Sequence, residues 1–250
     1  MPRKARQRSK TGIYHVIIRG INRQDIFHDD EDKTTYLERL TTYKNQCEFE
    51  LYAYCLMDNH VHLLLKEGTE SLSGTMKRIG ASYVYWYNWK YDRIGHLFQD
   101  RYKSEPVEDE RYLLSVVRYI HQNPIKVGLC IDNWTSYNNY IGSSDVASIV
   151  DIHTILKLFS HDMEIAQTEF RRYVNEANDD MCLDISERRK VTEKEMEEIA
   201  KRLGITSFQE LQQMDKHRRN SILKELRDTG MSIRQIERIT GINRGTIYKA

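Results

Sequence analysis

Long apolar runs are missing from this chain of 250 residues. None approaches the ~18 residues of a membrane-spanning helix, which excludes a transmembrane segment. Cysteine is scarce: Cys47, Cys55, Cys130 and Cys182 are scattered, and no CxxC pair occurs. That pattern provides neither a zinc knuckle nor a disulfide framework, and predicts reduced thiols in a cytoplasmic protein. The basic stretch Met1–Lys10 lacks the apolar core of a signal peptide behind it, so secretion is not expected. Internal repeats and low-complexity tracts are absent too. So is a large charge of one sign, the formal net charge being +1.

That small number hides an asymmetry. Residues 1–24 carry seven basic side chains and no acidic one, and residues 187–250 carry 15 basic and 10 acidic. The segment between is acidic on balance. Both ends are therefore candidates for phosphate contacts, a solvated charge run being the alternative for either.

The run Met57-Asp58-Asn59-His60-Val61-His62-Leu63-Leu64-Leu65 carries the most information. Asp58-Asn59 reads as a tight turn between two β-rich runs, 50–57 and 60–66. Strand side chains alternate faces, so His60 and His62 point to one side and Val61 and Leu63 to the other. Two imidazoles side by side at a sheet rim make half of a divalent-metal site. The plain alternative is two ordinary half-buried strand histidines.

Around this hairpin the pattern runs strand, helix, strand, strand, helix, strand, helix. Residues 14–19 read as the first strand. Asp29 or Asp30 caps a helix through Tyr36, Leu37, Leu40 and Tyr43. Ser71 opens a second helix through Met76, Ile79, Tyr83 and Tyr87. An extended piece spans about 99–107, and a helix over 108–122 stops at Asn123-Pro124. This order predicts an α+β fold, a ferredoxin-like antiparallel sheet with covering helices. The texture changes near residue 148, so the expected domains are 1–148, a helical connector 149–190, and 191–250.

The last region is all-α. Thr192 reads as the cap of one helix, a second covers about 215–227, and residues 231–250 form a helix-turn-helix pattern. Ser232 caps its first helix and Gly241 makes the turn. The second helix displays Asn243, Arg244, Thr246, Tyr248 and Lys249. With the local positive charge this predicts contact with duplex DNA, a helical hairpin with no such role being the alternative.

Tyr119 and Asn123 lie four apart on a predicted helix and therefore share a face. Laid against the histidine strand, Asn123 can lend an amide oxygen as third ligand, leaving Tyr119 beside the metal. The phenolate can then attack the phosphorus of a metal-bound phosphate in line. Imidazole and amide-oxygen ligands with open positions suit Mg²⁺ or Mn²⁺.

The elements YHVIIRGINRQDIF, MDNHVHLLL, GHLFQDRYKS and RYIHQNPIKVGL, in this order, resemble the REP-associated tyrosine transposases. These are single-tyrosine members of the HUH nuclease superfamily, Val61 standing between the two histidines here. The resemblance covers roughly residues 10–142. It implies a ferredoxin-like domain that cuts and rejoins single-stranded, hairpin-bearing DNA through a 5′-phosphotyrosine. His60 and His62 match the metal ligands, Tyr119 the nucleophile, and Asn123 the helix-borne ligand. Arg19, Asn22, Arg23, Arg101 and Lys103 fall in the matched motifs and are candidate DNA contacts. Tyr83, Tyr85, Trp86, Tyr87 and Trp89 are either base-stacking groups or core. The resemblance also implies a prokaryotic, nucleoid-associated protein, monomer or homodimer, with no membrane partner.

Two other readings compete. A DNA-binding regulator with a dead nuclease fold requires a lost ligand or nucleophile, and all four residues are present. A water-using metal-dependent nuclease requires further ligands, for which His15, His121 and His153 are the available histidines.

Overall fold

The β-branched run after Gly12 forms β1 (Ile13–Arg19), and the runs flanking Asp58-Asn59 form β2 (Glu50–Met57) and β3 (His60–Lys66). The extended piece shortens to β4 (Lys103–Pro106). The computed structural model describes residues 6–143, 149–184, 193–229, 231 and 233–250. All strand pairs are antiparallel, in the order β2-β3-β1-β4. With α1 (Asp30–Cys47) between β1 and β2, and α2 (Leu72–Lys90) between β3 and β4, this is the ferredoxin-like β-α-β-β-α-β arrangement.

Local chemistry sets the helix ends. Asp29 accepts from the Asp32 N–H at 3.0 Å to cap α1, with three acidic residues in its first turn facing the positive end of the helix dipole. Ser71 caps α2 and Asp109 caps α3 (Glu110–Gln122). Helix α3 ends where Pro124, with no N–H to donate, starts a 3₁₀ turn.

Register decides what each sheet face carries. Ile17 and Cys55 flank His62 on either side, and Arg19 and Met57 flank His60. His15, Ile17 and Arg19 therefore share the histidine face, onto which α3 packs through its contacts with β2 and β3. Val61, Leu63 and Leu65 point to the opposite face and are fully buried. Each such side chain contributes about 1.5–3 kcal/mol of burial.

The chain divides into two compact units, Met1–Asp184 and Ile185–Ala250. The first therefore reaches well past residue 148. Helix α4 (Tyr137–Tyr140) falls within the expected first domain, and α5 (Ile152–Leu156) and α6 (Met163–Asn175) belong to the same unit, where the sequence pattern predicted a separate connector from residue 149. The reason is tertiary packing: Ala166, Phe170 and Val174 bury the apolar stripe of α6, and Phe170 stacks on Tyr140 with ring centroids 4.4 Å apart. After α6 the chain runs back along α3. Asp180 pairs with Arg118 at 2.7 and 3.0 Å, and the Leu183 N–H donates to Glu105 at 3.0 Å.

The second unit contains α7 (Glu193–Leu203), α8 (Lys216–Asp228), α9 (Ile233–Thr240) and α10 (Arg244–Lys249), around a core of Leu211, Leu223, Leu226, Ile236 and Ile247. Gly241, at φ 69°, makes the turn between α9 and α10. The expected caps Thr192 and Ser232 lie outside the described residues, as do Arg3 and Lys4.

Candidate active site

The site is built on the rim of β3 and the last turn of α3. The His60 and His62 rings stand 5.0 Å apart, centre to centre, on the face that alternation assigns them. Tyr119 comes over from α3, its ring 5.9 Å from that of His62. Asn123, one helical turn further, is buried and interacts with both His60 and Tyr119. All four residues singled out from the sequence thus meet at one place.

Each imidazole is oriented from behind. Asn59 Oδ1 lies 2.6 Å from His60 Nδ1, which makes that nitrogen the donor and leaves Nε2 as the acceptor. Behind His62, His15 Nε2 lies 3.0 Å from Nδ1, in a fully buried pair whose rings stack at 5.3 Å. His62 Nε2 is buried with no hydrogen-bond partner among the described residues. A ring nitrogen in that position is what a cation would satisfy.

Burial keeps these rings neutral. It lowers His15 to about 3 and His60 to about 4, and holds His62 well below its ordinary value with help from the two neighbouring imidazoles. Neutral imidazole is the metal-binding form. Among the described residues no group of three His, Cys, Asp or Glu side chains could hold a metal ion, so a candidate ligand set here is confined to two imidazoles and the Asn123 amide. His121 faces away, 2.8 Å from Ser136 Oγ among Tyr137, Tyr140 and Phe170, and His153 lies on α5. The additional histidine ligands that a water-using nuclease needs are not supplied by either.

Two residues that sequence reasoning passed over belong to the site. Lys126, in the turn after Pro124, places its ammonium 3.5 Å from the centre of the Tyr119 ring. Asp184 acts on Tyr119, His60, His15 and Lys126 from the end of the segment that runs back along α3. Burial pushes the Tyr119 phenol far up, the Asp184 carboxylate adds to that, and Asn123 opposes it. At rest Tyr119 is a neutral phenol. Lys126 sits in a quoted motif and was visible as a cation near Tyr119; nothing local marks Asp184.

The residues around Arg19 form the neighbouring rim. Arg19 pairs opposite His60 in the sheet, and its charge lowers that imidazole further. Asn22 and Arg23 are exposed and both adopt left-handed backbone, at φ 52° and 65°. For residues other than glycine that conformation is strained, and it clusters at functional turns. Arg101 and Lys103 are exposed beside β1 and on β4. On α2, Tyr83 and Tyr87 are core and Trp86 is half-buried, whereas Tyr85 and Trp89 are 80% and 76% exposed, one turn apart.

Residues 9–123 match the model of the family described as IS200-like transposases. This part of the chain is similar to the IS200-like transposases. It contains both histidines, Tyr119 and Asn123, and ends on the last of them. No curated protein matches. Among solved structures, a REP associated tyrosine transposase bound to a REP hairpin is 17% identical, with a TM-score of 0.49 over 60% of this chain and 94% of that one. A protein from Deinococcus radiodurans assigned as a transposase is 19% identical, with a TM-score of 0.35 over 52% of this chain and 99% of that one. The second unit lies outside the transposase match. There Asn243 caps α10 with its own side chain, Thr246 returns a bond to it, Arg244 pairs with Glu237, and Lys249 is exposed.

Proposed function

We propose that the transposase domain is a metal-dependent single-stranded DNA endonuclease and strand transferase acting on hairpin-bearing, REP-like DNA. The observation that carries this reading is the convergence of a buried phenol with two neutral imidazoles and an amide, one imidazole nitrogen being unsatisfied. The hairpin class of the substrate rests on the four motifs that resemble REP-associated tyrosine transposases.

Tyr119 Oη attacks the scissile phosphorus. The P–O3′ bond breaks, the 3′ oxygen leaves as a hydroxyl, and the 5′ phosphate remains on the tyrosine. Attack by a 3′-OH on that phosphotyrosine reverses the step, so rejoining needs no nucleotide triphosphate. A divalent cation, Mg²⁺ or Mn²⁺, held by His60, His62 and Asn123 would supply Lewis-acid polarisation of the phosphate. Asn59 and His15 fix the two rings. The Lys126 ammonium over the Tyr119 ring favours the phenolate that must form, and the Asp184 carboxylate takes the phenol proton and returns it to the departing 3′ oxygen. Arg19, Asn22, Arg23, Arg101 and Lys103 hold the backbone of the strand. The second unit, through Lys249 and the α9–α10 pair, contacts duplex DNA.

Incubation of 3′-labelled hairpin oligonucleotides from the gene's flanks with Mn²⁺, followed by a denaturing gel, tests this. A covalent adduct is expected with wild type and is lost with Tyr119→Phe and with EDTA. Metal-dependent cutting by both proteins without an adduct would sink the tyrosine mechanism.

A further inference from the structure

The outer face of α2 is used by none of the chemistry above. Met76, Ile79, Tyr83 and Tyr87 point from this helix into the core. On its other side Arg78, Ser82, Tyr85 and Trp89 recur at steps of four, three and four, the spacing of a coiled-coil seam. At 3.6 residues per turn these four fall within about 60° of one another and span about 16 Å of helix. Tyr85 and Trp89 are the exposed aromatics of α2, and Ile94, just past its end, is fully exposed. The two rings alone leave about 300 Å² of each copy open to water. A contiguous apolar patch of that kind marks an interaction surface.

Charge along the face is uneven. At one end Lys77 and Arg78 are exposed, and Arg78 meets a single carboxylate, Glu70, at 2.7 Å. At the other end, beside Trp89, the start of α1 gathers on Lys90: Asp29, Glu31 and Asp32 each lie 2.8 Å from its ammonium. Three carboxylates on one ammonium leave that end negative, and Asp30 and Asp92 are exposed nearby in the chain. A nucleic-acid strand stacked along the rings would run from cations into this acidic end, which repels its phosphates. A second copy of the same face, laid antiparallel, meets no such conflict, because each positive end falls against a negative one.

The side chains match in the same arrangement. With a two-fold axis between residues 83 and 84, position 78 of one copy meets position 89 of the other, and 82 meets 85. Arg78 then lies over the Trp89 ring, a cation–π pair. The small Ser82 makes room for the large Tyr85, as a hole does for a knob. Both contacts occur twice, as an isologous interface requires.

We propose that α2 is a homodimer surface, two copies pairing antiparallel through Arg78, Ser82, Tyr85 and Trp89. The rings, with Ile94 and the stem of Arg78, bring the buried surface to about 500 Å² per copy, the low end for a specific interface. The dimer is therefore reversible and concentration-dependent. In the ferredoxin-like arrangement α1 and α2 cover the face to which Val61 and Leu63 point, whereas α3 packs on the histidine face. Each copy keeps its own complete set of His60, His62, Tyr119 and Asn123, and the two sets lie on the far sides of the pair. The inference goes beyond the strand-transfer reading and does not depend on it.

Sedimentation velocity of the full chain over a dilution series tests it. Wild type passes from monomer to dimer as its concentration rises. Trp89→Ala removes an exposed ring at the interface centre and weakens the dimer about 10- to 30-fold. Ser82→Trp sets a second large ring opposite Tyr85 and also weakens it, whereas a merely sticky surface would associate more tightly with the added ring. Ser82→Trp/Tyr85→Ala exchanges large and small across the seam and recovers most of the affinity. Circular dichroism melts equal to wild type confirm the fold of each variant. A wild type that stays monomeric throughout would overturn the proposal. So would a dimer that Trp89→Ala leaves unchanged, or one that Ser82→Trp strengthens. A monomeric wild type whose affinity for hairpin oligonucleotides falls with Trp89→Ala would assign the rings to nucleic acid instead.

Discussion

Replacing His15 by leucine is the sharpest probe of how the site is held. For His62 Nε2 to present a lone pair, His62 Nδ1 must carry the proton and donate it to His15 Nε2, 3.0 Å away. Leucine has a similar bulk and keeps the apolar packing, but it takes away the acceptor. The orphaned His62 N–H costs about 1–3 kcal/mol in a fully buried position. Loss of such an outer partner weakens metal binding by about 10- to 100-fold. Since a metal stabilises the fold by RT ln(1 + [L]/Kd), the stabilisation by saturating Mn²⁺ should shrink by about 1.4–2.8 kcal/mol in the variant. Urea melts across an Mn²⁺ titration measure this directly, and His15→Gln, which keeps an acceptor, should recover part of the loss. An Mn²⁺ titration of His15→Leu that overlays wild type would refute both the tautomer assignment and the role given to His15.

Acid should unfold the metal-free protein early. Burial holds His15 and His121 at about 3 and His60 at about 4, below the ordinary 6.5, so the unfolded chain binds the extra protons. Their contribution is complete above that value and is lost as pH falls, by about 2 kcal/mol per histidine at pH 5; urea midpoints in EDTA that stay level from pH 7 to 5 would contradict this. Asp180→Asn should cost about 2–4 kcal/mol, because Arg118 and Asp180 are 11% and 13% exposed and the arginine is left without its partner. Hydrogen exchange should quicken in residues 178–184 of that variant and not in β3. In the second unit Ser207 and Glu210 form a reciprocal capping box, and Ser207→Ala should lower that unit's stability by about 1 kcal/mol while the first unit's melt is unchanged.

What the sequence disclosed, and what it withheld, divides along local and long-range lines. The β2–β3 hairpin was legible to the residue because a two-residue Asx turn and strict alternation are both local signals. So were the Ser71 cap and the shared face of Tyr119 and Asn123, and the α1 cap was narrowed to Asp29 or Asp30. The role of His15 was not, since it depends on Ile17 standing opposite His62, a register that only strand pairing sets. The placement of α6 was hidden for the same reason: its stripe is visible in sequence, but its partner, the Tyr140 and His121 face, is not. The five aromatics of α2 divide by helical phase, Tyr83 and Tyr87 inward and Tyr85 and Trp89 outward, a choice that composition alone leaves open. Asp184 lies in an irregular, charge-rich stretch with no period to read.

The hairpin that carries the two histidines also constrains how this chain can change. Side chains on β3 alternate with a period of two, and β3 is paired on both edges. Inserting or deleting one residue between His60 and His62 would put the two imidazoles on opposite faces of the sheet, one of them on the face now filled by Val61 and Leu63. Length variation inside this strand is therefore tolerated only in steps of two. In a lineage of such proteins the hairpin acts as a parity check: substitutions can accumulate around it, but a single-codon slip inactivates the site at once.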